Sequence, residues 1–264
     1  MLCVAEVEGV TQLHNVVYIV RAGSSAILRF NATTHQRLED IRVKGMSSPC
    51  DIVACEQTSQ LYVVDWAERC VWRVSEDGAD IKLWLTKSST GTVRPHSLSV
   101  VSARLLLTCR YTKQVMQFDS LGDELRRVQF PDHVEPWHAV ESPTSTFIVS
   151  HKNMQLKQIS SQLDQFQISE IDTEGQVLRQ FTGSHPSSLG FTQQIAIDSH
   201  GNIFVADHDN RCIWLLGAQL TPRRAIIDKR QLDNKPRRVR YVEPTGQLLV
   251  GLYDRVSVFD VLRH

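Results

Sequence analysis

Apolar residues in this chain gather in short runs that recur at a regular interval. Val16-Val17-Tyr18-Ile19-Val20, Leu61-Tyr62-Val63-Val64, Leu105-Leu106-Leu107, Phe147-Ile148-Val149, Ile203-Phe204-Val205-Ala206 and Leu248-Leu249-Val250 are near-continuous. Runs of this kind suit strands covered on both faces. Taking Tyr18, Tyr62, Leu106, Phe147, Phe204 and Leu249 as equivalent, the intervals are 44, 44, 41, 57 and 45 residues. Each run follows a mixed segment such as Pro49-Cys50-Asp51-Ile52-Val53, and precedes one that alternates, as in Cys70-Val71-Trp72-Arg73-Val74. A fourth, mixed segment such as Asp80–Leu85 ends the unit, with turn signals such as Asp77-Gly78, Glu174-Gly175 and Thr245-Gly246 between segments. Units of forty to fifty residues made of four short strands predict propeller blades.

Six copies predict an all-β, six-bladed β-propeller of four-stranded antiparallel blades, over about 8–44, 48–86, 94–131, 135–182, 193–228 and 236–262. The whole chain, 1–264, reads as one domain. The last copy stops after its third strand, so residues 2–7 are expected to supply its outer strand and close the ring, which removes an open edge. The long fourth interval holds extra chain around His151–Ser169, read as a loop insertion with a short helix or a long hairpin at Gln155–Leu163.

Composition narrows the function classes. Lys and Arg number 29 against 29 Asp and Glu, so no strong basic excess argues for nucleic acid. No apolar run reaches the length of a membrane-spanning helix. Met1–Val10 lacks the basic start and apolar stretch of a signal peptide. The six cysteines fit no common zinc spacing and read mostly as small hydrophobes in strands, with a disulfide set as the rival reading. The compartment stays open, with a lean to the cytoplasm.

One blade carries a more specific signature. Ile195-Ala196-Ile197-Asp198-Ser199-His200-Gly201-Asn202, followed by Ile203-Phe204-Val205-Ala206-Asp207-His208-Asp209-Asn210-Arg211-Cys212-Ile213, resembles an NHL repeat. Pro49–Val74 is a looser match that keeps Asp65 and Arg69, and the other blades keep only the apolar skeleton. The resemblance implies a six-bladed propeller of the type found in tripartite-motif ubiquitin ligases, amidating lyases and free-standing NHL proteins. The chain has no RING, B-box or coiled-coil segment, so ligase chemistry does not follow from it.

Candidate chemistry comes from the repeat positions. Asp51, Ser97, His138, Gln194 and Arg238 occupy the start of the inner strand and are expected at the channel. Arg21, Asp65, Cys109, Ser150, Asp207 and Leu252 end the second strand. Asp65 and Asp207 read as structural acceptors for the following turn. The aspartates beside His96, His138, His151 and His208 have ligand chemistry, yet the histidines read more simply as exposed turn residues. Neither the several channel histidines of an amidating lyase nor the assembled carboxylates of a gluconolactonase are evident, so no catalytic residue, metal or cofactor is assigned. Arg223, Arg224, Arg237, Arg238 and Arg240 could offer a basic patch, and Trp66, Trp137 and Tyr253 are candidate rim aromatics.

The expected function is a non-catalytic platform for a protein partner, acting as a monomer, with no DNA partner. Single-stranded RNA bound through 221–240 is one alternative, and a metal-dependent lyase or hydrolase at the channel is another.

Overall fold

In the computed structural model, described over residues 2–4, 6–86, 94–155, 166–184 and 187–261, six four-stranded antiparallel sheets stand around a central axis. The inner strands are Val7–Leu13, Pro49–Cys55, Ser97–Val101, Val134–Glu141, Thr192–Ile197 and Arg238–Val242. The second strands are Val16–Arg21, Gln60–Asp65, Arg104–Cys109, Phe147–Asn153, Ile203–Asp207 and Gln247–Gly251. The third are Ala26–Asn31, Cys70–Ser75, Gln114–Phe118, Phe166–Ile171, Cys212–Gly217 and Arg255–Asp260. Ile41–Arg42, Ile81–Leu85, Glu124–Gln129, Val177–Phe181 and Thr221–Ile227 are the outer strands of the first five blades. Each inner strand packs on the next, and the sixth packs on the first, so the ring is closed.

The sixth blade takes its outer strand from the start of the chain. Leu2 pairs with Val256 and Cys3 with Arg255. The strand is shorter than residues 2–7, because Val7 already belongs to the inner strand of the first blade. Backbone bonds from Val4 N–H to Asp254 O (3.1 Å) and from Val7 N–H to Tyr253 O (3.4 Å) carry the attachment between the two strands.

The hydrophobic core is divided into six clusters, one between each pair of neighbouring blades. This explains the continuous apolar runs. Successive strand residues point to opposite faces, so Leu61 and Val63 enter the cluster shared with the first blade while Tyr62 and Val64 enter that shared with the third. Trp72, Trp84 and Trp214 pack at the margins of these clusters.

Pairing registers correct one equivalence in the fourth blade. Asp51 faces Val64 and His138 faces Ser150, so His151, not Ser150, matches Asp65, and Ile148 matches Tyr62. A run that is apolar on both faces gives no polar mark against a slip of one residue. The extra chain of this blade lies between its second and third strands, where Lys152 pairs with Phe166. Residues 156–165, which include most of the Gln155–Leu163 segment, lie outside the described residues.

The cysteines are unpaired thiols, with Cys55, Cys70, Cys109 and Cys212 buried, Cys50 half-buried and Cys3 exposed.

Candidate functional site

The inner-strand starts meet on the axis as a hydrogen-bonded belt. Asp51 Oδ2 accepts from Leu98 N–H (2.8 Å) and Oδ1 from Ile52 N–H (2.9 Å). Gln194 Nε2 donates to Asp51 Oδ1 across the channel (3.3 Å), while its Oε1 accepts from Val239 N–H (2.9 Å). His138 Nε2–H donates to Leu98 O (3.1 Å), and Ser97 Oγ donates to Trp137 O (2.8 Å). Arg238 donates to Cys50 O (3.0 Å) and to both the carbonyl and the carboxylate of Glu8. The belt therefore ties the second blade to the third, fifth and sixth, and the sixth to the first. In the first blade the position belongs to Gly9, where an added Cβ would lie 2.8 Å from Ile52 N and 3.0 Å from Asp51 Cα. Only a hydrogen fits there.

Burial sets the electrostatics of this belt. It pushes the Asp51 carboxyl up to about 6, against the opposing pull of Arg238 and the donated N–H bonds. It pushes His138 and His96 down to about 3 and His151 to about 4. His138 and His151 are thus neutral strand residues rather than the exposed turn residues expected for histidine, and each keeps a buried Nδ1 without a partner.

Asp65 and Asp207 do structural work. Asp65 accepts from Ser47 N–H (2.7 Å), Ser48 N–H (3.2 Å) and Glu68 N–H (3.2 Å), fastening the chain that enters its blade as well as the turn that follows. Asp207 accepts from Gly190 N–H, Asn210 N–H and the Trp214 indole N–H in the same manner. The Asp and Asn of the repeat signature are therefore parts of a blade clasp. Among the described residues, no three His, Cys, Asp or Glu side chains come together as a metal-ligand group.

The arginines of 221–240 do not share one surface. Arg223 and Arg224 are exposed on the outer strand of the fifth blade, at a groove of about 1060 Å³ between the fifth and sixth blades. Arg237 pairs with Glu8 (3.1 Å), and Arg238 is buried in the belt. Arg240 lies one layer further along the channel. It lines a cavity of about 480 Å³ at the mouth on the side of the turns between inner and second strands.

The opposite face, formed by the turns between second and third strands, is aromatic. Trp66, Tyr111 and Tyr253 occupy equivalent turns of the second, third and sixth blades and are 46, 51 and 51% exposed. Met154 is exposed at the corresponding end of the fourth blade's second strand. Trp137, by contrast, is buried below this face, with the Arg110 guanidinium 3.5 Å from its ring centre and Phe191 edge-on at 4.7 Å. Tyr111 escaped sequence reasoning, although its place just after Cys109, like that of Trp66 after Asp65, marks the same turn.

These observations define the chain as a six-bladed β-propeller with a hydrogen-bonded belt across its channel and two chemically different faces. Solved structures share the fold. A gluconolactonase from Xanthomonas campestris is 12% identical, with 97% of this chain and 86% of that one covered and a TM-score of 0.72. Hydrazine synthase from Kuenenia stuttgartiensis is 11% identical over 98% of this chain and 97% of that one, with a TM-score of 0.71. A chain of a nidogen–laminin complex is 13% identical over 86% and 81%, with a TM-score of 0.65. No protein-family model and no curated protein matches the sequence, so the NHL likeness rests on the residues of the fifth blade.

Proposed function

We propose that the chain is a binding platform that takes a protein partner on the face of the turns between second and third strands. The observation that carries this reading is the set of exposed aromatics, Trp66, Tyr111 and Tyr253, in equivalent turns around one face. Large exposed rings are costly to leave in water and are typical anchors of interfaces. Tyr111 is also flanked by the guanidinium groups of Arg94 (6.0 Å) and Arg110 (5.4 Å), a pairing suited to a partner with mixed apolar and acidic contacts. The closed ring holds the turns rigid, which lowers the ordering cost of binding.

RNA has less support. Arg238 and Arg240 are turned into the channel, Arg237 is engaged by Glu8 and Lys235 by Asp209, which leaves Arg223 and Arg224 exposed on the outer strand and Lys229 and Arg230 exposed in the turn after it. Catalysis likewise lacks an assembled group of reactive side chains in the belt.

The test is comparative affinity capture from the source cells. Wild type, Trp66→Ser/Tyr111→Ser and the control Leu121→Ser, which alters an exposed apolar residue at the rim of the third blade, are compared. A partner retained by wild type and control but lost by the double variant supports the reading. Identical captures by all three refute it.

A further inference from the structure

The second layer of the channel contains polar groups that have no partner among the described residues. Counting two residues along each inner strand from the belt gives Thr11, Val53, Ser99, Val140, Ala196 and Arg240. The Arg240 guanidinium makes no hydrogen bond and no ion pair among the described residues, unlike Arg238 next to it in the channel. Ser99 is 5% exposed, and its buried hydroxyl also lacks a partner among the described residues. Both line the cavity of about 480 Å³ at the channel mouth, a volume within the usual range for small-molecule sites. Every blade contributes to its wall: Gln12, Glu56, Ser99, Glu141, Asp198 and Arg240 come from the first to the sixth in turn.

The acids of this wall differ in how far they are engaged. Glu141 is clamped by Arg104 (2.6 and 3.2 Å) and by Gln117 (2.8 Å). Asp198 accepts from His200 N–H, Asn202 N–H and the Asn202 amide. Glu243, also at the rim, accepts from Ser199 N–H. The Glu56 carboxylate has no hydrogen-bond or ion-pair partner among the described residues, and it is the strongest opposite charge felt by Arg240 without touching it. One cavity thus holds an unengaged cation beside an unengaged hydroxyl, and an unengaged anion at its rim. Arg240 is half-buried with no counter-charge in contact, so it is partly desolvated, and a ligand carboxylate entering the cavity would complete it.

We infer that this mouth is a binding site for a small zwitterion, a molecule carrying a carboxylate and a protonated amine, of the size of an amino acid or dipeptide. The carboxylate takes Arg240 and the Ser99 hydroxyl, and the ammonium takes Glu56. The engaged acids around the rim repel a phosphate dianion, which sets the choice between anions. The site lies on the face opposite the proposed protein-docking turns and stands independently of them.

Isothermal titration with L-alanyl-L-alanine, N-acetyl-L-alanine, L-alaninamide and inorganic phosphate tests the assignment. Saturable binding of alanyl-alanine is expected, with each capped analogue and phosphate weaker by about tenfold or more. Arg240→Gln should weaken alanyl-alanine by at least about tenfold, and Ser99→Ala and Glu56→Gln severalfold each. Without ligand, Arg240→Gln should melt at or above the wild-type temperature, since the guanidinium contributes no bond to the fold. Absence of saturable alanyl-alanine binding overturns the proposal. So does phosphate or N-acetyl-alanine binding as tightly as alanyl-alanine, or equal affinity in Arg240→Gln. A lower melting temperature for ligand-free Arg240→Gln also overturns it, because Arg240 would then be a structural partner of Glu56.

Discussion

Leu2→Ala tests whether the ring is held by its first strand. Leu2 is 1% exposed and lies in the cluster formed by Val4, Val7, Val10 and Leu28 with Leu249 and Val256 of the last blade. Truncating a buried leucine costs about 2–5 kcal/mol, and the lower half applies here because a two-residue strand can relax into the void. For a chain of 264 residues, a loss of 2–3 kcal/mol lowers the melting temperature by about 5–10 °C. The assay is thermal unfolding followed by far-ultraviolet circular dichroism. Leu121→Ala is the control, since Leu121 is 79% exposed and its truncation should stay within about 0.5 kcal/mol. Val256→Ala completes a double-mutant cycle, because Val256 faces Leu2 in register, and direct contact should give a coupling of about 0.5–1 kcal/mol. If Leu2→Ala melts with wild type and the cycle shows no coupling, the strand does not fasten the ring.

Other outcomes follow from the belt and the clasps. Gly9→Ala should cost about 2–3 kcal/mol in urea unfolding, since its Cβ would press on the Ile52 and Asp51 backbone, whereas Gly23→Ala, with open space and a φ of 62°, should cost only about 1 kcal/mol. Asp207→Ala leaves Gly190 N–H, Asn210 N–H and the Trp214 indole N–H without their acceptor and should cost about 2–4 kcal/mol, with faster amide exchange at Gly190 and Asn210. Acid should destabilise the protein. His96, His138 and His151 are depressed to between about 3 and 4, so below pH 6.5 the unfolded chain binds their protons first. Asp51, raised to about 6, opposes this between pH 6 and 4, because there the folded chain is the one that holds its proton. The net uptake on unfolding is then about two protons, or about 3 kcal/mol per pH unit, and Asp51→Asn should steepen it toward three; an unchanged slope in that variant contradicts the assignment.

The blade count was readable in the sequence because a second strand covered on both faces must be apolar throughout, and that requirement repeats six times. The ring closure was readable from a missing fourth strand at one end and a spare one at the other. Its length was not, because Val7 is apolar in either role and its pairing with Arg21 is what assigns it to the first blade. The structural role of Asp65 and Asp207 followed from residue type and place, since a carboxylate ending a strand before a turn has N–H groups within reach. The channel was only partly readable. Asp51, His138, Gln194 and Arg238 were placed at the belt by alignment, but their bonds run between blades about 40 to 230 residues apart, and local pattern carries no such information. The layout of the basic segment was hidden for a related reason. Arg237 precedes the strand and pairs with Glu8, while Arg238 and Arg240, two residues apart on one face of it, fall in successive layers of the channel, so a cluster in sequence became one surface pair, one belt member and one cavity residue.

The two channel layers explain how such a ring can be both rigid and open to function. The belt is largely committed: Asp51, Gln194, His138 and Arg238 each bond a blade other than their own, so displacing any one leaves buried donors or acceptors unmatched at about 1–3 kcal/mol apiece. Their chemistry is consumed by holding the blades in register. One layer along, Ser99 and Arg240 face a cavity with nothing committed to them. Rigidity supplied by the first layer fixes the positions of the second, which is the condition for selecting a ligand at low ordering cost. It also separates the sites: Arg240 and the turns bearing Trp66 and Tyr111 lie on opposite sides of the belt. Arg240→Gln should therefore leave partner capture unchanged, and Trp66→Ser should leave zwitterion affinity unchanged. Transmission between the faces would require the belt to possess a second arrangement, which its interlocked bonds do not favour.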